Sequence, residues 1–266
     1  MNSVPGTNTL LMGAPGSGKT HALRTLVAAG LEVFVIFTEP GMEVLSDVPS
    51  DKLHWHYIPP ATPGWDALLD TAKKVNTMPN STLQQLPNIN AKDYSQVMDI
   101  LKLCQNFTDE RTGKEYGDVT TWGTDRVIVL DSLTGFNIMA MDLVVGSKPV
   151  KSLVDWGVAM DMEERTIDQL TLGTKCHFVL TAHLDKQVDE VMGGVNIVPN
   201  ALGRKIGPSL GRFFSDVILC QRTTEGWTWS TSNDKADLKA RNIQWKDGQI
   251  PSFVPLIQHW KNKQTT

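Results

Sequence analysis

The stretch Gly13-Ala14-Pro15-Gly16-Ser17-Gly18-Lys19-Thr20 holds the residues with the clearest chemical purpose. Its spacing, GxxxxGK[ST], suits a loop that wraps phosphate. Glycines let the backbone curl until several N–H groups point at the same oxygens. A helix opening at Lys19, with His21 in its first turn, would add its free N–H groups and dipole. Lys19 can reach β- and γ-phosphates as a point charge, and the Thr20 hydroxyl can ligate Mg²⁺. The ligand implied is a nucleoside triphosphate, ATP with Mg²⁺ before others. Average composition gives this pattern by chance in roughly one chain of this length in a hundred. The plainer alternative is a Gly-rich turn with an exposed lysine, but the pattern here also follows a strand and opens a helix.

Three further polar groups fall at the ends of apolar runs. Asp131 ends Val127-Ile128-Val129-Leu130. A carboxylate at a strand tip beside the phosphate loop can hold the water shell of Mg²⁺. Asp131-Ser132 would also cap the next helix, and the two roles are compatible. Glu39 lies twenty residues after Lys19, just past the run 32–38, where a carboxylate could orient and polarise an attacking water. His183 ends the run 176–181 in the same way. Alone, a strand-end Glu is more often a solvated cap and a His more often structural. Together they form a constellation, because ligands of open parallel sheets bind at that edge.

The elements that must position these groups can be read from periodicity. Segment 9–12 reads as a short buried strand and 19–29 as a helix stopped by Gly30. Segment 32–38 is a buried strand, and 53–58 an edge strand ended by Pro59-Pro60. Helical spacing covers 65–75 and 91–107, with a polar loop at 76–90 between them. Segment 108–124 is an excursion with a hairpin around Thr112-Gly113. A parallel strand at 126–130 precedes helices at 133–145 and 153–172. A strand at 176–181 leads into a polar, Gly-containing loop at 184–203. Strands at 216–221 and 227–230 close the pattern, and the tail after Asp234 wraps back without a clear period. Strands alternating with helices give an α/β fold: a mostly parallel twisted sheet with helices on both faces. One domain is expected over residues 1–266, with 235–266 as a tail packed on it.

Composition narrows the function classes. The 266 residues are 41% hydrophobic and 20% charged, enough for a sizeable core and unlike a disordered chain. A net charge of −4 excludes a strongly basic nucleic-acid coat. Residues 201–222 still hold four basic groups against one acid, with Phe213 and Phe214 as stacking faces. The loop 184–203 is not basic: Lys186 stands among Asp185, Asp189 and Glu190. Cys104, Cys176 and Cys220 form no CxxC pair, so reduced thiols in a cytoplasm are expected. The early run Leu10-Leu11-Met12 is too short for a signal peptide or membrane span.

The order of phosphate loop, strand-end Glu39, Asp131-Ser132, and a strand ending at His183 before a loop resembles the RecA/RadA ATPase core. The segment from Ala201 to Arg222 is similar to the stretch after that family's DNA loop: basic residues, aromatics, then a strand ending in Arg. The resemblance spans about residues 8–222. It implies that Glu39 activates water and that His183 senses the γ-phosphate and signals to loop 184–203, which would contact single-stranded DNA. It implies a homo-oligomer in which Arg212, or else Lys205 or Arg204, reaches a neighbour's γ-phosphate. The chain departs from the family in two ways. The sensor is His where RecA carries Gln, and a phosphate loop opening at Gly13 leaves no room for an N-terminal oligomerisation domain. The layout is most similar to core-only RecA-like ATPases of bacteriophages, linked to single-strand annealing and recombination in the host cytoplasm. Single-strand-binding or recombination proteins are then candidate partners. Competing readings are a nucleotide-controlled switch or loader, a helicase core, and a small-molecule kinase.

Overall fold

The structure, a computed structural model, describes residues 4–87, 91–188 and 193–264. Its strands are β1 (Asn8–Gly13), β2 (Glu32–Phe37), β3 (Leu53–Tyr57), β4 (Arg126–Asp131), β5 (His177–Ala182), β6 (Leu184–Val188), β7 (Val195–Pro199), β8 (Asp216–Thr223), β9 (Gly226–Ser230) and β10 (Lys239–Ala240). Six of these run parallel in the order β3-β2-β4-β5-β1-β8. β9 and β10 pair antiparallel with β8, and β6 and β7 form a separate antiparallel ribbon. This is an α/β fold, as the alternation of strands and helices leads one to expect.

The continuous apolar runs follow from burial of the sheet on both faces. Alternate residues serve opposite layers, because successive strand side chains point to opposite faces. Leu10, Phe34, Ile36, Ile128, Leu130, Phe178 and Leu180 join one core. Leu11, Val33, Val35, Val127, Val129 and Val179 join the other. The first core is closed by α5 (Gln96–Gln105), α6 (Leu133–Val145), α7 (Leu153–Leu172) and α8 (Gly203–Leu210). The second is closed by α1 (Lys19–Ala22), α2 (Arg24–Ala28) and α9 (Val254–Gln264). Two further helices follow β3: α3 (Trp65–Thr77), which buries none of its residues, and α4 (Asn80–Gln84).

Several local expectations need correction. The helix expected over 19–29 breaks at Leu23, whose N–H bonds to Thr20 three residues back rather than to Lys19. Segment 91–107 is α-helical only over Gln96–Gln105, after a short 3₁₀ turn. The loop expected at 76–90 contains α4, which buries Leu83; residues 88–90 lie outside the described residues. The tail is not aperiodic: α9 buries Leu256, Ile257 and Trp260. Segment 184–203 is not all loop: its described residues include the paired strands β6 and β7, with Leu184 opposite Pro199. Three consecutive polar residues in β6, Asp185 to Gln187, leave no period-2 pattern to read, because little of that strand is buried. Asp189 and Glu190 lie outside the described residues.

Glu163 on α7 holds the return of this hairpin, accepting the Leu202 N–H at 2.9 Å. Its other oxygen, Oε1, is buried with no hydrogen-bond partner. Burial pushes its carboxyl from the usual 4.5 up to about 8. Between those values the unfolded chain gives up a proton that the folded chain keeps, so stability falls as pH rises through that window. Melting temperature is expected to fall from pH 5 to pH 8 by more in the wild type than in Glu163→Gln. Parallel curves would show that Glu163 does not couple to folding.

Candidate nucleotide-binding site

The phosphate loop joins β1 to α1 at the C-terminal edge of the parallel sheet. Gly16 and Gly18 sit at φ 74° and 83°, a region that L side chains rarely adopt. At Gly13 a Cβ would lie 2.4 Å from Ser17 Oγ and 2.6 Å from the Cys220 carbonyl, so only glycine fits between β1 and β8. Lys19 is buried at 6% exposure, with Nζ donating to the Gly13 and Ala14 carbonyls at 2.8 and 3.1 Å. Burial lowers its pKa, opposed by Cys220, Asp131 and Glu39. The Ser17 hydroxyl is buried without a hydrogen-bond partner.

β4 places Asp131 opposite this loop, with β5 between β4 and β1. Thr20 Oγ1 donates to Asp131 Oδ2 at 2.7 Å, and Thr181 Oγ1 on β5 donates to Oδ1 at 2.5 Å. Burial raises the Asp131 pKa against those two hydrogen bonds and the Lys19 charge. Next to it, Ser132 Oγ donates to Glu39 Oε2 at 2.8 Å, and His183 Nε2 lies 3.1 Å from the same oxygen. The His183 hydrogen bond, ahead of the one from Ser132, holds the Glu39 carboxyl below the usual carboxylate range. Thr38 fixes Ser132 from both sides, accepting its N–H at 2.9 Å and donating to its carbonyl at 2.7 Å.

Residues 15–21, Glu39, Pro40, Gly41, Val44, Asp131, Ser132, His183 and Trp227 line one cleft of about 570 Å³. The structure thus brings Lys19, Thr20, His21, Glu39, Asp131 and His183 together, although up to 164 residues separate them. A carboxylate and a hydroxyl side by side offer hard oxygen donors for Mg²⁺, which usually takes one or two carboxylates and completes its shell with water and phosphate. No cluster of three or more His, Cys, Asp or Glu suited to a metal occurs among the described residues.

The sequence profile of the family described as an AAA domain matches residues 6–234. The chain belongs to the AAA domain family. Membership agrees with the phosphate loop at residues 13–20 and implies nucleotide binding. Among solved structures it is similar to a prototypical ATPase from the type III secretion system of pathogenic bacteria, with TM-score 0.40 and 14% identity over 82% of this chain. The chain spans about half (53%) of that protein's length. It is also similar to the RadB recombinase, with TM-score 0.40 and 13% identity over 88% of this chain and 84% of that one. A third is the EscN ATPase of the enteropathogenic E. coli type III secretion system, at TM-score 0.39 and 12% identity over 82% and 43% of the two chains. No curated protein matches the sequence.

Not every expected residue of the AAA domain reaches the cleft. Arg212 pairs with Glu164, and its guanidinium lies over the Phe213 ring at 4.5 Å. It does not line the cleft. Phe214 is buried and stacks on Phe178, so it is a core residue and not a stacking face for nucleic acid. Thr38 and Thr181 give no signal in the sequence because neither differs from any other strand threonine. Trp227 is legible there only as part of a strand, 211 residues from the Gly16 carbonyl to which its indole N–H donates at 3.0 Å. No helix among the described residues is long and apolar enough to cross a membrane.

Proposed function

We propose that this AAA domain hydrolyses ATP with Mg²⁺ and couples the reaction to single-stranded DNA. The observation that carries the first part is the pair of contacts Thr20–Asp131 and Ser132–Glu39–His183 facing Lys19 in one cleft. Thr20 and Asp131 would hold Mg²⁺, which when bound neutralises phosphate charge. Lys19 binds the β- and γ-phosphates, leaving the carbonyls of Gly13 and Ala14. Glu39, ionised at neutral pH, accepts a hydrogen bond from the attacking water and draws off its proton. Ser132 and His183 keep that carboxylate in place, and His183 links it to the hairpin, since its carbonyl accepts the Asn200 N–H at 2.8 Å.

DNA coupling is supported by a cavity of about 750 Å³ at the base of β6–β7. Lys151, Lys186 and Arg204 line it, and Trp156 offers a stacking face beside Lys151, 5.9 Å away. Cations beside an aromatic platform suit single strands. The setting we infer is phage-type recombination or annealing in the host cytoplasm, by one domain acting as a homo-oligomer with a single-strand-binding or recombination partner. Arg212, exposed and absent from its own cleft, is then a candidate for the neighbour's γ-phosphate.

A second reading, a nucleotide-controlled switch or loader, draws on the hairpin itself. Val188 and Val195 face solvent opposite each other there, a surface that suits protein better than DNA. ATP hydrolysis measured with and without single-stranded DNA separates the readings. Stimulation that fades between low and moderate salt is expected. ATP binding without stimulation would favour the switch.

A further inference from the structure

Trp227 belongs to the cleft and touches the phosphate loop, yet the roles assigned above to Lys19, Thr20, Asp131, Glu39 and His183 leave it without one. It stands on β9, at the antiparallel edge of β8, and leans over the phosphate loop. Its indole N–H donates to the Gly16 carbonyl. A Cβ on Gly18 would lie 2.8 Å from its ring, so the ring rests directly on that glycine. The His21 ring lies beside it, centroids 4.8 Å apart and planes at 41°. Trp227 nonetheless keeps 42% of its surface exposed.

The direction of a bound nucleotide follows from the chemistry at the other groups. Lys19 serves the β- and γ-phosphates, and the loop amides serve the α- and β-phosphates. The γ end therefore lies with Lys19, Asp131, Glu39 and His183. The nucleoside must leave the loop elsewhere, and the cleft offers Trp227 and His21 there as π faces. The remaining apolar lining, Pro15, Pro40 and Val44, has none. The two rings, 4.8 Å apart between centroids, together form an aromatic face beside the phosphate loop. Among the described residues no Asn, Gln or Arg lines the cleft to read a base edge.

We propose that Trp227, flanked by His21, is the platform on which the base stacks, and that the site takes purine nucleoside triphosphates by stacking without distinguishing adenine from guanine. This rests on the nucleotide-binding reading of the same cleft. Stacking is tolerant of base identity because every base has a π face, and purines offer the larger one. Glycine at position 18 is required for the ring to approach, and the Gly16 carbonyl orients it.

Calorimetric titration of the full chain with ATP, GTP, CTP and inorganic tripolyphosphate, each with Mg²⁺, tests this. The wild type is expected to bind ATP and GTP within about fivefold of each other and CTP more weakly. Trp227→Leu keeps an apolar cover on Gly18 but has no π face. It is expected to lose ATP affinity roughly tenfold or more while binding tripolyphosphate as the wild type does. Trp227→Phe keeps a ring but not the bond to Gly16, and is expected to retain most ATP affinity. Equal losses for ATP and tripolyphosphate in Trp227→Leu would overturn the proposal by making the ring only a latch on the loop. Unchanged ATP affinity in that variant, or strong rejection of GTP by the wild type, would overturn it too. If the wild type binds neither ATP nor tripolyphosphate, the nucleotide-binding reading itself falls and takes this one with it.

Discussion

Lys19→Ala is expected to weaken nucleotide binding by roughly tenfold or more and to abolish measurable turnover while leaving the fold intact. Lys19 is the only Lys or Arg among the described residues lining the cleft, where it faces Glu39 and Asp131. Without it, a triphosphate would enter beside two carboxylates with no fixed positive charge to offset them. Hydrogen bonds to charged groups contribute about 1.5–3 kcal/mol each, so binding alone should weaken by roughly tenfold or more. Turnover should fall further, because charge developing on the transferred phosphate loses its main partner. Nζ reaches only the Gly13 and Ala14 carbonyls in the fold, so the loss should cost little in stability. Calorimetry with ATP, a steady-state ATPase assay and a melting curve read the three effects separately. Undiminished hydrolysis in a clean preparation would remove the phosphate loop from the mechanism.

Glu39→Gln is expected to keep ATP binding and lose hydrolysis by roughly 10²-fold or more. Glutamine is the same size, and its carbonyl can still accept from Ser132 Oγ. What it cannot do is take a proton from water. The His183 hydrogen bond favours the ionised carboxyl, so Glu39 is available as a base well below neutral pH. The decisive comparison is ATP affinity against turnover in the same variant. Loss of both would make Glu39 a binding group, and normal turnover would exclude it from the chemistry.

The sequence alone determined the phosphate loop and the strands that carry the site. Glycine spacing and a terminal Lys-Thr pair act locally, through backbone conformations that only glycine adopts freely. Runs such as 127–130 are legible because a strand buried on both faces is apolar at every position, and Asp131 stands out by ending one. The same reasoning fails where a segment buries little. Strand β6 sets Asp185, Lys186 and Gln187 in a row and strand β7 carries Asn196 and ends in Pro199, so with little of either buried the pair resembles a loop.

Only the tertiary structure decided which polar groups meet. Thr181 reaches Asp131 because β5 lies beside β4, and Thr38 holds Ser132 across 94 residues of chain. Trp227 rests on Gly18 because β9 folds back along β8, which pairs with β1. Phe214 turns inward and Arg212 outward from nearby positions, a difference set by the end of a 3₁₀ turn and not by composition. Local rules fix how each segment is shaped, but strand order across the sheet fixes which side chains stand within hydrogen-bonding reach, and no local pattern encodes that order.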